Sequence, residues 1–203
     1  MTGEKTTTIA LSPEEGQCLV RLARATIAER LTHPMTNDKH RAMQTDLQAP
    51  VFASRCGVFV TLKIKGILRG CIGSLTSSEP LVENVRRNAL NAAFQDPRFP
   101  PLDPEELAQI VIEVSVLTPP ETLTYSGSDD LVSRLRPGID GVILRKGSAS
   151  ATFLPQVWKQ LPRIQDFLSH LCLKAGLAAQ AWREDNLRVE IYQAQYFEEG
   201  TTG

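Results

Sequence analysis

The stretch that decides the fold is "GVFVTLKIKGILRGCIGSL", Gly57 to Leu75. Two runs rich in aliphatic and β-branched residues flank Lys65-Gly66, and the pattern reads as a β-hairpin. Side chains alternate faces along a strand. In the first run Val58, Val60, Leu62 and Ile64 share one face, and Phe59, Thr61 and Lys63 share the other. In the second run Leu68 and Ile72 go together, and Arg69, Cys71 and Gly73 go together. Loop length sets the register. A two-residue loop at Lys65-Gly66 pairs Leu62 with Arg69 and Lys63 with Leu68, which puts charge in the core and leucine in water. A three-residue loop, Ile64-Lys65-Gly66, pairs Leu62 with Leu68 and Thr61 with Arg69, and sets Gly66 at the left-handed position. The three-residue register is therefore expected, with Phe59 near Cys71.

That register collects Phe59, Thr61, Lys63, Arg69 and Cys71 on one polar, basic and aromatic face. A cation beside a thiol lowers its pKa, and Arg69 is the natural candidate for Cys71. Gly70 and Gly73 weaken a strand and mark close approach by a ligand or another backbone. Cys71 then has two readings. It is an accessible, activated thiol, or it is a small buried hydrophobe.

Outward from the hairpin, "LSPEEGQCLVRLARATIAERL" opens with Ser12, Pro13 and Glu15, a helix-start signature, and Leu19, Leu22, Ala23, Ile27 and Leu31 keep helical spacing. Thr32–Ser54 is polar and reads as a long connection. After the hairpin, Val82, Val85, Ala89, Ala92 and Ala93 mark a helix whose small residues suit close packing on a sheet. "PRFPPLDPEEL" is too proline-rich for regular structure. "AQIVIEVSVLTPP" alternates as a strand and ends at its prolines. A short helix over Asp129–Leu135, a hairpin turning near Lys146-Gly147, a helix through Phe167 and Leu171 ended by Gly176, and a final strand in "NLRVEIYQAQYF" complete the chain. Helices and hairpins interleave without βαβ runs, so the expected class is α+β, a mostly antiparallel sheet with helices packed on it.

Composition narrows function. Hydrophobic residues make up 42% and charged residues 22%, with a net charge of −1, so no global field favours nucleic acid or a membrane. No apolar run approaches bilayer length. The first ten residues lack the features of a signal peptide, and the scattered Cys18, Cys56, Cys71 and Cys172 suit free thiols, so a cytoplasmic protein is expected. His33, His40 and His170 form no ligand spacing, and no GxGxxG or P-loop motif appears, so neither a metal nor a cofactor is indicated.

Together with "NAAFQDPRFPPL", "IEVSVLTPPE", "GIDGVIL", "ATFLPQVW" and "FLSHLCLKAGL", the hairpin resembles the AMMECR domain family, whose bacterial and archaeal members are called AmmeMemoRadiSam system protein A. The motifs run in the family's order from Leu19 to Phe197. The resemblance implies one AMMECR-like domain over the whole chain, an α+β fold of two unequal, intimately packed subdomains. It makes Leu68–Gly73, the LRGCIG motif, the expected working surface. It also implies a pathway shared with a Memo-like protein and a radical SAM protein, and nucleotide- or RNA-related roles have been suggested for the family.

Three functional classes are carried forward. One is an enzyme using Cys71 as nucleophile or thiol acid/base, with Arg69 on the thiolate or an anionic substrate and Glu113 as a candidate base. Around it, Gly70, Gly73, Phe59, Thr61, Lys63, Asp96, Arg98 and Gln156 are the candidate ligand-binding residues. Asp96 and Arg98 bracket a proline-rigid loop, where Arg98 would bind a carboxylate or phosphate or simply pair with Asp96. Glu113 would face the site or solvent, and Gln156 and Trp158 would line a ligand or pack on the sheet. The second class is a nucleotide-, RNA- or anion-binding module using Lys63, Lys65, Arg69, Arg86 and Arg87. The third is an adaptor for the Memo-like and radical SAM partners.

Overall fold

A computed structural model describes residues 10–31, 46–184 and 187–200. The chain divides into two compact units, one up to Pro119 together with Gln195 onward, the other Pro120–Ala194. The described residues include four α-helices and eight strands in two four-stranded sheets, so the α+β expectation holds.

In the first unit, α1 spans Pro13–Leu31. Its start is the expected capping box: Ser12 Oγ accepts from the Glu15 N–H at 3.2 Å, and Glu15 Oε2 accepts from the Ser12 N–H at 2.8 Å. Strands β1 (Val58–Ile64) and β2 (Ile67–Ser74) form the hairpin. Helix α2 spans Leu81–Phe94 and buries Val85, Ala89, Ala92 and Ala93. Strand β3 is Ile110–Leu117. The sheet order is β2-β1-β3-β8, where β8 is Ala194–Glu198. Val58, Val60, Leu62, Ile110, Ile112, Val114 and Val116 form its core face with α1 and α2.

The hairpin register differs from the expected one. Ile64 pairs with Ile67 and Lys63 with Leu68, so the loop is the two residues Lys65-Gly66. Both take positive φ, 52° and 78°, as a type I′ turn requires. Leu62 then pairs with Gly70, because Arg69 is an extra residue bulged out of the ladder. The tight turn wins because its twist matches the strands, and the bulge removes its cost by keeping the charge out of the core. Leucine in water is tolerated: Ile67 is 73% and Leu68 39% exposed at the hairpin tip. Consequently Cys71 lies opposite Thr61 and not Phe59, whose partner is Gly73.

In the second unit the sheet order is β4-β7-β5-β6, with β4 Glu121–Thr122, β5 Gly141–Lys146, β6 Ala149–Phe153 and β7 Arg188–Tyr192. Helices α3 (Gly127–Arg134) and α4 (Ile164–Lys174) bury Leu131, Phe167, Leu168, Leu171 and Cys172. Trp158 stacks on Phe167 at 3.6 Å and donates its indole N–H to the Asp140 carbonyl at 2.7 Å. The single final strand expected over "NLRVEIYQAQYF" is two strands, β7 and β8, in different sheets and separated by Gln193. Both halves alternate alike, so only their long-range partners tell them apart. Of the expected connection, Pro50–Ala53 forms a 3₁₀ turn, and the part with His33 and His40 lies outside the described residues.

Candidate functional site

The glycines of the motif answer to packing. A Cβ on Gly70 would lie 2.2 Å from the Ala92 carbonyl oxygen of α2, and one on Gly73 would lie 2.3 Å from the Phe59 ring. The helix and the ring rest directly on the strand, and only glycine allows it.

Strand β2 lies at the end of its sheet, so its outer N–H and C=O groups need partners. At Cys71 side chains supply them. Asp96 Oδ2 accepts from the Cys71 N–H at 2.9 Å, and Arg98 Nη2 donates to the Cys71 carbonyl at 3.2 Å. Arg98 also donates to both Asp96 oxygens, from Nε at 2.9 Å and Nη2 at 2.7 Å. The Asp96–Arg98 pair thus stands in for a neighbouring strand at one peptide unit. Asp96 is buried, and its carboxyl is held well below the usual carboxylate range, first by Arg98 and further by the backbone N–H groups of Cys71 and Arg98.

Arg69 is not beside the Cys71 thiol. The bulge sends it to Glu106, which it binds with Nε at 2.7 Å and Nη2 at 2.8 Å, and Nη1 donates to the Pro100 carbonyl at 3.0 Å. Arg69 therefore anchors the proline loop. Glu106 is itself set by a capping box with Asp103 at the 3₁₀ turn Pro104–Glu106. The expected activation by Arg69 is replaced by a different balance. Burial pushes the Cys71 thiol up, the Thr61 hydroxyl and Arg98 pull it down, Asp96 and Glu113 push it up, and the net shift is upward.

What the sheet does assemble is a rung on the face away from the core. Cys71, Thr61 and Glu113 are direct neighbours across β2, β1 and β3. The Thr61 hydroxyl donates to the Cys71 sulfur at 3.3 Å. Glu113, an isolated charge in an apolar strand, is buried on this face at 7% exposure. Its Oε2 accepts from Lys63 Nζ at 2.9 Å, and Lys63 also donates to Glu198 of β8 at 2.9 Å. The next rung holds Gly73, Phe59 and Ser115. Ser115 is fully buried and its hydroxyl has no partner among the described residues.

Of the residues singled out in the sequence, Cys71, Thr61, Glu113, Lys63, Phe59 and Gly73 share this face, Asp96 and Arg98 hold its edge at Cys71, and Gly70 lies opposite Leu62 against α2. Gln156 lies on the 3₁₀ turn Pro155–Lys159 of the second unit. Sequence reasoning missed Glu106, Glu198 and Ser115. The Asp103–Glu106 capping spacing was a usable signal for the first. Glu198 meets Lys63 across 135 positions, and no local pattern announces that. Of the five basic residues proposed for an anion-binding face, Lys63, Arg69, Arg86 and Arg87 are paired with carboxylates. Among the described residues no group of three or more His, Cys, Asp or Glu forms a metal-ligand cluster. No described helix is long and apolar enough to cross a membrane.

The AMMECR1 family model matches residues 20–197. A protein of Methanothermobacter thermautotrophicus is 44% identical over 190 residues, covering 93% of this chain and 96% of its own. One from Thermofilum pendens is 40% identical, covering 94% of this chain and 92% of its own. Among solved structures, the crystal structure of an uncharacterized protein from Pyrococcus horikoshii is similar with a TM-score of 0.80 and 36% identity, covering 94% of each chain.

Proposed function

The chain belongs to the AMMECR1 family, and within it we propose that this member is an enzyme whose reacting group is the Cys71 thiol. One observation carries the reading: the rung that sets thiol, hydroxyl and carboxylate side by side on three adjacent strands, off the core face. A protonated thiol needs a base, and a buried carboxylate reached through a hydroxyl is one. In the step proposed, the Thr61 hydroxyl, which donates to the sulfur at rest, rotates to accept the thiol proton and releases its own proton to Glu113, its neighbour across the strands. The sulfur forms a bond to an electrophilic carbon, and the leaving group departs with its bonding pair. Lys63, pinned by Glu198, holds the Glu113 carboxylate in place. Asp96 and Arg98 hold the Cys71 backbone, so the sulfur is presented from a fixed strand edge.

The test is adduct mass spectrometry on the purified chain after incubation with a metabolite extract. A mass increase confined to the Cys71 peptide, absent in Cys71→Ser and reduced in Glu113→Gln, is the expected result. An unmodified Cys71 peptide and metabolite profiles that are the same for wild type and Cys71→Ser would remove the enzyme reading.

A second reading rests on the hairpin tip, where Ile67 and Leu68 stand in solvent. Exposed apolar side chains at a hairpin turn suit a protein partner. The Memo-like and radical SAM proteins that the family resemblance implies are the proposed partners, in a cytoplasmic setting. Co-purification that survives Cys71→Ser and fails in Ile67→Lys is the result expected of this reading. The nucleotide- or RNA-binding alternative is weakened by the carboxylates already paired with its basic residues.

A further inference from the structure

Arg98 has more capacity than the edge clamp uses. Its Nε and Nη2 face Asp96, and Nη2 also serves the Cys71 carbonyl. Nη1 has no partner among the described residues, and the Arg98 side chain is 53% exposed while the Asp96 side chain is 2% exposed. The guanidinium lies over the Phe99 ring at 5.4 Å from its centroid. One edge of the group is therefore locked by a buried carboxylate, one flank is braced by an aromatic ring, and the remaining nitrogen belongs to a half-exposed side chain bonded to the Cys71 backbone. A long side chain normally loses conformational freedom on binding an anion. Here that freedom is already gone.

The chemistry of what remains selects the ligand. Asp96 takes up most of the guanidinium charge, and the two-nitrogen fork that suits a phosphate dianion is already occupied. A single nitrogen with two hydrogens suits one oxygen of a monoanion. From this geometry we infer that Arg98 is a binding site for a small carboxylate, placed so that the substrate of the Cys71 face carries its carboxylate at the β2 edge and its electrophilic carbon over the sulfur. The inference rests on the thiol reading for the reaction but not for the binding.

Two measurements separate them. Iodoacetate and iodoacetamide are near-isosteric alkylating agents, one anionic and one neutral. Each forms an Sγ–CH₂ bond as the thiol loses its proton and iodide leaves. The iodoacetate-to-iodoacetamide rate ratio at Cys71, read by peptide mass spectrometry, is expected to be at least tenfold higher in the folded chain than in the same chain in urea. Arg98→Gln should return the ratio to the unfolded value, and Arg98→Lys, which keeps a cation beside Asp96, should retain part of the preference. A folded ratio equal to the unfolded one overturns the inference.

The second measurement uses the wild-type chain alone. The Arg98 Nε–Hε resonance, assigned in a ¹H–¹⁵N spectrum, is followed on adding sodium acetate, with sodium phosphate in parallel. A saturable shift with acetate supports the site even where Cys71 resists both alkylating agents, an outcome that would count against the thiol reading only. No acetate shift, or a saturable shift with phosphate alone, overturns the carboxylate assignment.

Discussion

Two hairpins in this chain turn through loops of the same length and serve different ends. Strands β1 and β2 turn at Lys65-Gly66, and β5 and β6 turn at Gly147-Ser148. The second runs in step from Val142 opposite Phe153 to Lys146 opposite Ala149. The first breaks step after Lys63, where Arg69 is extra. The regular hairpin contributes packing: Val142 and Leu144 belong to the core of their unit. The bulged one sends an arginine to anchor a loop, places a glycine under a helix and turns a thiol onto a polar rung. A bulge changes what each side chain meets without changing the core pattern, which is why bulges recur next to working sites.

The sharpest way to break the comparison is to add one methyl to each hairpin. At Gly70 the methyl meets the Ala92 backbone carbonyl, and at Gly147 it meets nothing within 4 Å. Gly70→Ala is expected to cost about 3 kcal/mol in urea unfolding, because a helix must move. Gly147→Ala is expected to cost about 1 kcal/mol, the strain of its positive φ alone. Equal costs would mean that α2 does not rest on β2.

Next in size is the Asp96–Arg98 clamp on the first hairpin. Asp96→Asn is expected to cost about 2 kcal/mol at neutral pH, since a charged partner of Arg98 and of the Cys71 N–H is lost. The folded-state pKa of Asp96 lies below its unfolded value, so its stabilisation is present above about pH 4 and is lost as pH falls toward the folded value. Wild-type stability should therefore fall below about pH 4, and the Asn variant should show a flatter acid limb in the same unfolding series. A limb of unchanged slope would assign acid sensitivity elsewhere.

Deleting Arg69 makes the first hairpin run in step like the second. The fold should survive with Leu62 still opposite Gly70. The expected loss is about 1–2 kcal/mol, less than for a fully buried pair because Glu106 keeps partial access to water. Faster hydrogen exchange over residues 97–103 would report the released loop. The smallest effect belongs to the regular hairpin: Arg145 pairs with Glu190 while 47% exposed, and Arg145→Ala should change stability by less than about 0.5 kcal/mol.

Much of this architecture was legible from local pattern. The capping box at Ser12, the strand Ile110–Leu117 ending before its prolines, and the small-residue face of α2 each come from spacing within a few residues. The membership of the candidate face was partly legible, because alternation placed Phe59, Thr61, Lys63 and Cys71 together. Its geometry was not. Arg69 was expected at the thiol and is at Glu106, because alternation assumes an unbroken ladder and a bulge shifts the pairing of every residue after it. Glu113 was a lone charge in a strand until Lys63 and Thr61 were brought beside it.

The sequence by itself determined the elements, the core face of the hairpin and the family. Those are written in periods of two and 3.6 residues and in contiguous motifs. Only the tertiary structure decided that the last alternating run divides between two sheets, that Asp96 and Arg98 cap the edge at Cys71, and that Glu198 returns to hold Lys63. Each of these pairs groups distant in sequence, and each is settled by which backbone and carboxylate partners remain unmatched once the core has closed. The "LRGCIG" run was the expected working surface. The fold explains its arginine and glycines by packing and anchoring, and leaves its thiol, with Thr61 and Glu113, as the chemistry to be tested.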